Sequence, residues 1–89
     1  MSVRILNPLF YRHTGNRREV EVEGRTVGEC IRNLAEQYPE VGRHLFSATG
    51  GLQEHLLISL NWDVIQHGEL DTPVEDGDAI HIMTMIQGG

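Results

Sequence analysis

The sequence predicts an α+β fold in which one main helix packs on one face of a sheet of four or five strands. Two observations carry that prediction. Val27, Cys30, Ile31, Leu34, Ala35 and Tyr38 fall at i, i+3, i+4, i+7, i+8 and i+11, a single apolar helical stripe. Around it lie short segments of alternating or continuous apolar residues, most regular in Glu19-Val20-Glu21-Val22-Glu23.

Each element has its own signal. Val3 and Ile5 flank Arg4 and lead to Asn7-Pro8, where proline ends a strand. His13-Thr14-Gly15-Asn16 has turn chemistry, and Glu19–Glu23 follows with its glutamates toward water, so the first two strands form a hairpin. Thr26 and Glu29 make a T-x-x-E box at the helix start. Pro39 disfavours helical geometry at Tyr38 and stops the helix there. Val41, Leu45 and Phe46 suggest a short second turn before Gly50-Gly51 break the chain. Leu56 to Leu60 reads as an interior strand, and Asn61 to Gln66 as a turn with a short strand. Asp71 to Asp78 is a loop with a tight turn at Asp76-Gly77, and Ala79 to Ile86 is the last strand. The order ββαβ(β)β leaves strand neighbours open. A β-grasp arrangement would bury the helix stripe against Val3, Ile5, Val20, Val22, Ile58, Leu60, Ile80 and Ile82.

Size and charge narrow the function. With 89 residues the chain makes one small domain, with no room for a deep substrate cavity. Thirteen acids against seven bases give a net charge of −6, which argues against nucleic acid as a partner. All seven arginines lie between Arg4 and Arg43; residues 44–89 carry seven acids and no Lys or Arg. No apolar run exceeds three residues, so no membrane span or signal peptide is expected. One cysteine excludes an internal disulfide framework and suits a reducing, cytoplasmic setting.

The chain stops on Gly88-Gly89. At a glycine frequency of roughly 7%, two terminal glycines arise by chance about once in 200 chains. A glycine backbone can thread narrow channels, and its terminal carboxylate is unhindered. Such a carboxylate can be activated by adenylation in another protein's active site. A frayed end is the plainer reading, but these glycines follow an apolar strand rather than a Gly/Ser linker.

Along most of its length the chain resembles the ubiquitin-like sulfur carriers, the ThiS/MoaD family. The matching pieces are Val22-Glu23-Gly24-Arg25-Thr26-Val27, Leu34-Ala35-Glu36-Gln37-Tyr38-Pro39 and Ile58-Ser59-Leu60-Asn61. They continue in Leu70-Asp71-Thr72-Pro73-Val74-Glu75-Asp76-Gly77-Asp78-Ala79-Ile80 and the closing Gly88-Gly89. The segment Pro8-Leu9-Phe10-Tyr11-Arg12-His13-Thr14-Gly15 looks most like the CysO-type branch.

The resemblance implies a ubiquitin-like β-grasp with a mixed sheet, residues 1–89 forming one domain and residues 87–89 an exposed tail. It implies a carrier rather than an enzyme. A partner enzyme would use Mg-ATP to adenylate the Gly89 carboxylate, and a sulfur donor would then convert it to a thiocarboxylate. A biosynthetic enzyme, favoured here as of the cysteine/homocysteine type, would accept the sulfur. No cofactor would reside on the chain itself. Molybdopterin and thiazole carriers are the alternatives within the family; a ubiquitin-like modifier and a passive interaction module lie outside it. The tail departs from the family pattern at Thr84-Met85-Ile86-Gln87, where Pro and small residues are usual and Gln87 stands in place of a common Ala. Trp62 stands where Gly or a polar residue is usual; it reads as a partner anchor or, more simply, as cover for the sheet edge.

The last strand suggests where partners dock. If Ile80 and Ile82 face the helix, then His81, Met83 and Met85 face away, with Leu57 and Ser59 beside them and Ile86 leading into the tail. A sheet with a single helix on one side leaves such a face uncovered, and methionine suits adaptable contacts. Cys30 sits on the helix stripe and reads as core. The five histidines lack paired metal-ligand spacing, and Asp71, Glu75, Asp76 and Asp78 do not match a calcium loop. The chain has no lysine, where roughly five would be expected. Without a side-chain amine, an activated tail cannot acylate its own chain at lysine.

Overall fold

The computed structural model describes residues 2–6, 15 and 19–84. Its strands are β1 (Ser2–Leu6), β2 (Glu19–Glu23), β3 (Leu56–Leu60), β4 (Asp63–Ile65) and β5 (Ala79–Thr84). Helices α1 (Val27–Gln37) and α2 (Pro39–Leu45) lie between β2 and β3, and a 3-10 turn spans His67–Glu69. The five strands form one sheet in the order β2-β1-β5-β3-β4. β1 and β5 run parallel and every other neighbouring pair is antiparallel, so the sheet is mixed. This is the α+β, β-grasp architecture expected from the sequence.

Burial sets the register. Val3 pairs with Val22 and Ile5 with Val20, while Arg4 and Glu21 pair on the other face. Ile5 also lies beside Ile80, and Ile58 beside Ile82. A one-residue slip would send every one of these apolar side chains to solvent. Each large aliphatic side chain fully buried contributes about 1.5–3 kcal/mol. The α1 stripe closes the core from one side through Val27, Cys30, Ile31 and Leu34, all buried. Tyr38 and Leu60 pack at its margin and are only partly buried.

Local chemistry explains the helix boundaries. The Glu29 backbone N–H donates to Thr26 Oγ1 at 3.1 Å, the N-cap expected there. Tyr38 closes α1 by donating its N–H to the Leu34 carbonyl at 2.9 Å. Pro39 does stop α1, but it also opens α2 at its first position. The stretch read as a short turn is thus a seven-residue helix burying Val41 and Leu45. Proline lacks an N–H that the first helical turn does not need, so it starts a helix as readily as it ends one.

Two glycines set the layer spacing. A Cβ on Gly24 would lie 2.6 Å from Cys30 Sγ and 2.9 Å from Cys30 N, so only glycine lets β2 turn tightly into α1. A Cβ on Gly42 would lie 3.0 Å from the Ala35 Cβ, where α2 packs on α1.

Candidate functional site

Both helices cover the same face of the sheet, and the opposite face holds Leu57, Ser59, His81 and Met83 of the docking residues expected from the sequence. Leu57 pairs with Met83 and Ser59 with His81 across β3 and β5. The register therefore brings these four together, out of phase with the core pair Ile58 and Ile82. β4 adds Val64, which pairs with Ser59 and is 60% exposed.

Their exposure is unequal. Leu57 and Met83 are half-buried, but Ser59 is only 1% exposed and His81 only 7%. Ser59 and His81 therefore form the floor of the face, not its contact surface. Among the described residues, Ser59 Oγ and both ring nitrogens of His81 have no hydrogen-bond partner. Burial pushes the His81 pKa below its ordinary 6.5, and the nearby Arg4 guanidinium adds to that. The imidazole is accordingly neutral at pH 7. Arg4 itself is ion-paired to Glu19 at 3.2 Å, on the β2 side of the same face.

Trp62 covers His81. Its ring centroid lies 3.9 Å from that of the imidazole, with the planes inclined by 32°, yet Trp62 remains 75% exposed. The β3–β4 turn sets that position. Asn61 and Trp62 have φ of 51° and 74°, both in the left-handed region. Asn tolerates this conformation; a bulky residue there costs about 1–2 kcal/mol. Asn61 is fastened to the start of β5. Its N–H donates to the Ala79 carbonyl at 2.8 Å, Oδ1 accepts from the Ala79 N–H at 3.0 Å, and Nδ2 donates to Asp78 Oδ1 at 3.0 Å. These bonds hold the turn against the sheet and hold the indole over the imidazole. The indole thus lies over the sheet, the plainer of the two sequence readings, and is largely exposed.

Met85, Ile86, Gln87, Gly88 and Gly89 lie outside the described residues. Thr84, where β5 ends, stands opposite Leu56. Five residues beyond it reach at most ~18 Å. Val64 escaped the sequence reading because its side follows from the two-residue turn before it. Asn-Trp is not a recognisable hairpin pair, unlike Asn-Gly.

Other features do not converge on chemistry. Cys30 is buried, and burial together with the Glu29 carboxylate pushes its thiol pKa above the ordinary 9.0. On the helical side a hollow of about 340 Å³ is lined by Glu29, Arg32, Phe46, Leu52 and Leu70, among others, and contains none of the residues expected from the sequence to dock partners. Among the described residues no three His, Cys, Asp or Glu side chains are grouped to hold a metal ion, and no helix is long and apolar enough to cross a membrane.

The model of the ThiS family matches residues 3–89. The chain belongs to the ThiS family. The sulfur carrier protein CysO of Mycobacterium tuberculosis is 33% identical to it over 93 residues, spanning 100% of both chains. A chain in the crystal structure of the Amycolatopsis orientalis BexX/CysO complex superposes with a TM-score of 0.83 at 27% identity, covering 98% of this chain and 99% of that one. SAMP1 from Haloferax volcanii reaches a TM-score of 0.85 at 22% identity with 100% of both chains covered, and so shares the fold. This ThiS-family chain is a sulfur carrier on which enzymes act, rather than an enzyme, and its relatives place it with the CysO type.

Proposed function

We propose that the working group of this carrier is the Gly89 carboxylate, and that its sulfur serves a cysteine-type biosynthesis. An activating enzyme, using its own ATP and Mg, joins that carboxylate to AMP and releases pyrophosphate. Sulfur delivered at the sulfide level attacks the acyl carbon as HS−, the acyl–phosphate bond breaks, AMP leaves with that bond's electron pair, and the product loses a proton to remain as a thiocarboxylate. An acceptor enzyme then takes the sulfur. The carrier contributes a terminal acyl group with no side chain beside it and a protein surface for partners to grip.

The single observation carrying this reading is the full-length match to a sulfur carrier, in a chain whose last two residues are Gly88-Gly89. The Amycolatopsis CysO was crystallised in complex with BexX, which supports a protein partner for this chain too. The open sheet face suits that role: Leu57 and Met83 give half-buried apolar contact above Ser59 and His81, and Met85 and Ile86 continue the sequence toward the tail.

The test is ATP–pyrophosphate exchange by the cognate activating enzyme. The full chain should drive exchange, and a chain ending at Gly88 should not. Equal exchange with both would contradict the assignment of Gly89.

A further inference from the structure

We propose that Trp62 is an acid-released lid over His81: uptake of a proton by the imidazole frees the indole from its stack and opens the floor of the sheet face to water.

The closed lid suits only a neutral imidazole. His81 is 7% exposed, and neither Nδ1 nor Nε2 has a hydrogen-bond partner among the described residues. Ser59 Oγ, on the residue opposite, is unpartnered as well and so bonds neither nitrogen. A neutral ring leaves one N–H unmet in this place; an imidazolium leaves two, and a charge with them. An indole face attracts a cation, but it offers those N–H groups no lone pair.

The groups around the ring do not relieve that charge. On β1, Leu6 stands beside His81, and the nearby Arg4 guanidinium opposes a second cation. On β2, the Glu19 carboxylate is ion-paired to Arg4, and that of Glu21 accepts from Ser2 Oγ. Leu57 and Ser59 on β3, Val64 on β4 and Met83 on β5 carry no charge. Asp63 stands opposite Leu60, out of phase with Val64. Asp78, just before β5, already accepts from Asn61 Nδ2 and from the Glu75 N–H.

The lid is free to leave. The indole rests on the imidazole at 3.9 Å between centroids, yet Trp62 is 75% exposed, so most of its surface already meets solvent. Asn61 fastens the turn to Ala79 and Asp78, so release is a rotation of one side chain and not an unzipping of β3 from β4. Burial and Arg4 hold the His81 pKa below 6.5 while the lid is shut, and a ring reached by water returns toward 6.5. The open form therefore binds the proton more tightly, and acid shifts the population toward it. Above pH 6.5 both forms are neutral and the lid stays shut. On the carrier reading above, partners that grip Leu57 and Met83 at neutral pH meet a cation between them in acid.

The experiment follows the nuclear Overhauser contact between the indole and the imidazole in the free chain at pH 7.5 and pH 5, where carboxylates stay largely ionised. Trp62 is the chain's only tryptophan, so its signals stand alone. The contact should fall by roughly threefold or more at pH 5, with the strand amide signals in place. In His81→Leu the indole should keep its contact with the side chain at position 81 at both pH values. An undiminished contact at pH 5 overturns the proposal, and so does an equal fall in His81→Leu. Loss of the strand amide signals together with the contact means that the whole fold opens, and overturns a local lid. None of these outcomes needs an activating enzyme, so failure here leaves the carrier reading intact.

Discussion

Ser59 stands directly opposite His81 across β3 and β5, and none of their three buried polar atoms has a hydrogen-bond partner among the described residues. The pair lies on the face away from the helices, with His81 under Trp62. Unpaired polar atoms in such a place cost free energy, about 1–3 kcal/mol each where water is fully excluded. Ser59→Ala should therefore leave stability unchanged or raise it by up to ~1 kcal/mol in urea unfolding. A loss above that would reveal a partner for the hydroxyl.

His81 should make stability pH-dependent. Its pKa is lowered in the folded chain by burial and by Arg4, from an ordinary 6.5. Below pH 6.5 the unfolded chain takes up the proton first, so it binds more protons and stability falls with pH until the folded pKa is passed. Above pH 6.5 both states are neutral at this site and the contribution is full. Unfolding curves between pH 7.5 and 5, where carboxylates remain largely ionised, should show a smaller slope for His81→Leu than for the parent. Identical slopes would mean that His81 is hydrated in the folded state.

Gly24→Ala should destabilise the fold by about 1–3 kcal/mol, because the new methyl meets the Cys30 backbone nitrogen at 2.9 Å as well as its sulfur. Trimming the sulfur with Cys30→Ala in the same chain should recover only part of the loss. Full recovery would show that the side chain alone sets the β2–α1 distance.

Cys30 should take no part in sulfur transfer. Its thiol is buried on the α1 stripe with a raised pKa, which keeps it protonated at neutral pH. The native thiol should resist a disulfide reagent that reacts at once in denaturant, and Cys30→Ala should accept sulfur at the parent's rate. Fast native labelling would contradict the packing described here.

Met83→Glu should weaken binding of the activating enzyme by about tenfold without unfolding the chain, since Met83 is half-buried beside Leu57 on the open face. Calorimetric titration checks the affinity and circular dichroism the fold. Parent-like affinity would move the interface off this strip.

Much of this architecture was legible from side-chain periodicity. The Glu19–Glu23 alternation and the Val27–Tyr38 stripe name their buried faces directly, and the parity of β3 and β5 places Leu57, Ser59, His81 and Met83 together. Strand order was not legible, because alternation says which face a residue takes and nothing about the neighbouring strand. The parallel pairing of Ile5 with Ile80 joins residues 75 positions apart in a chain whose local signals extend only a few residues. Pro39 was ambiguous because it can close one helix and open another. The depth of His81 was hidden for a different reason: it depends on Trp62, whose placement follows from two consecutive left-handed residues.

Intact-mass spectrometry of the chain after incubation with its activating enzyme, ATP and a sulfur source tests the central claim most directly. The account predicts a mass increase equal to one sulfur replacing one oxygen, confined to the C-terminal peptide and absent from a chain lacking Gly89. An unchanged mass with a proven cognate enzyme, or Gly89 found instead in amide linkage to other proteins without any thiocarboxylate, would contradict it.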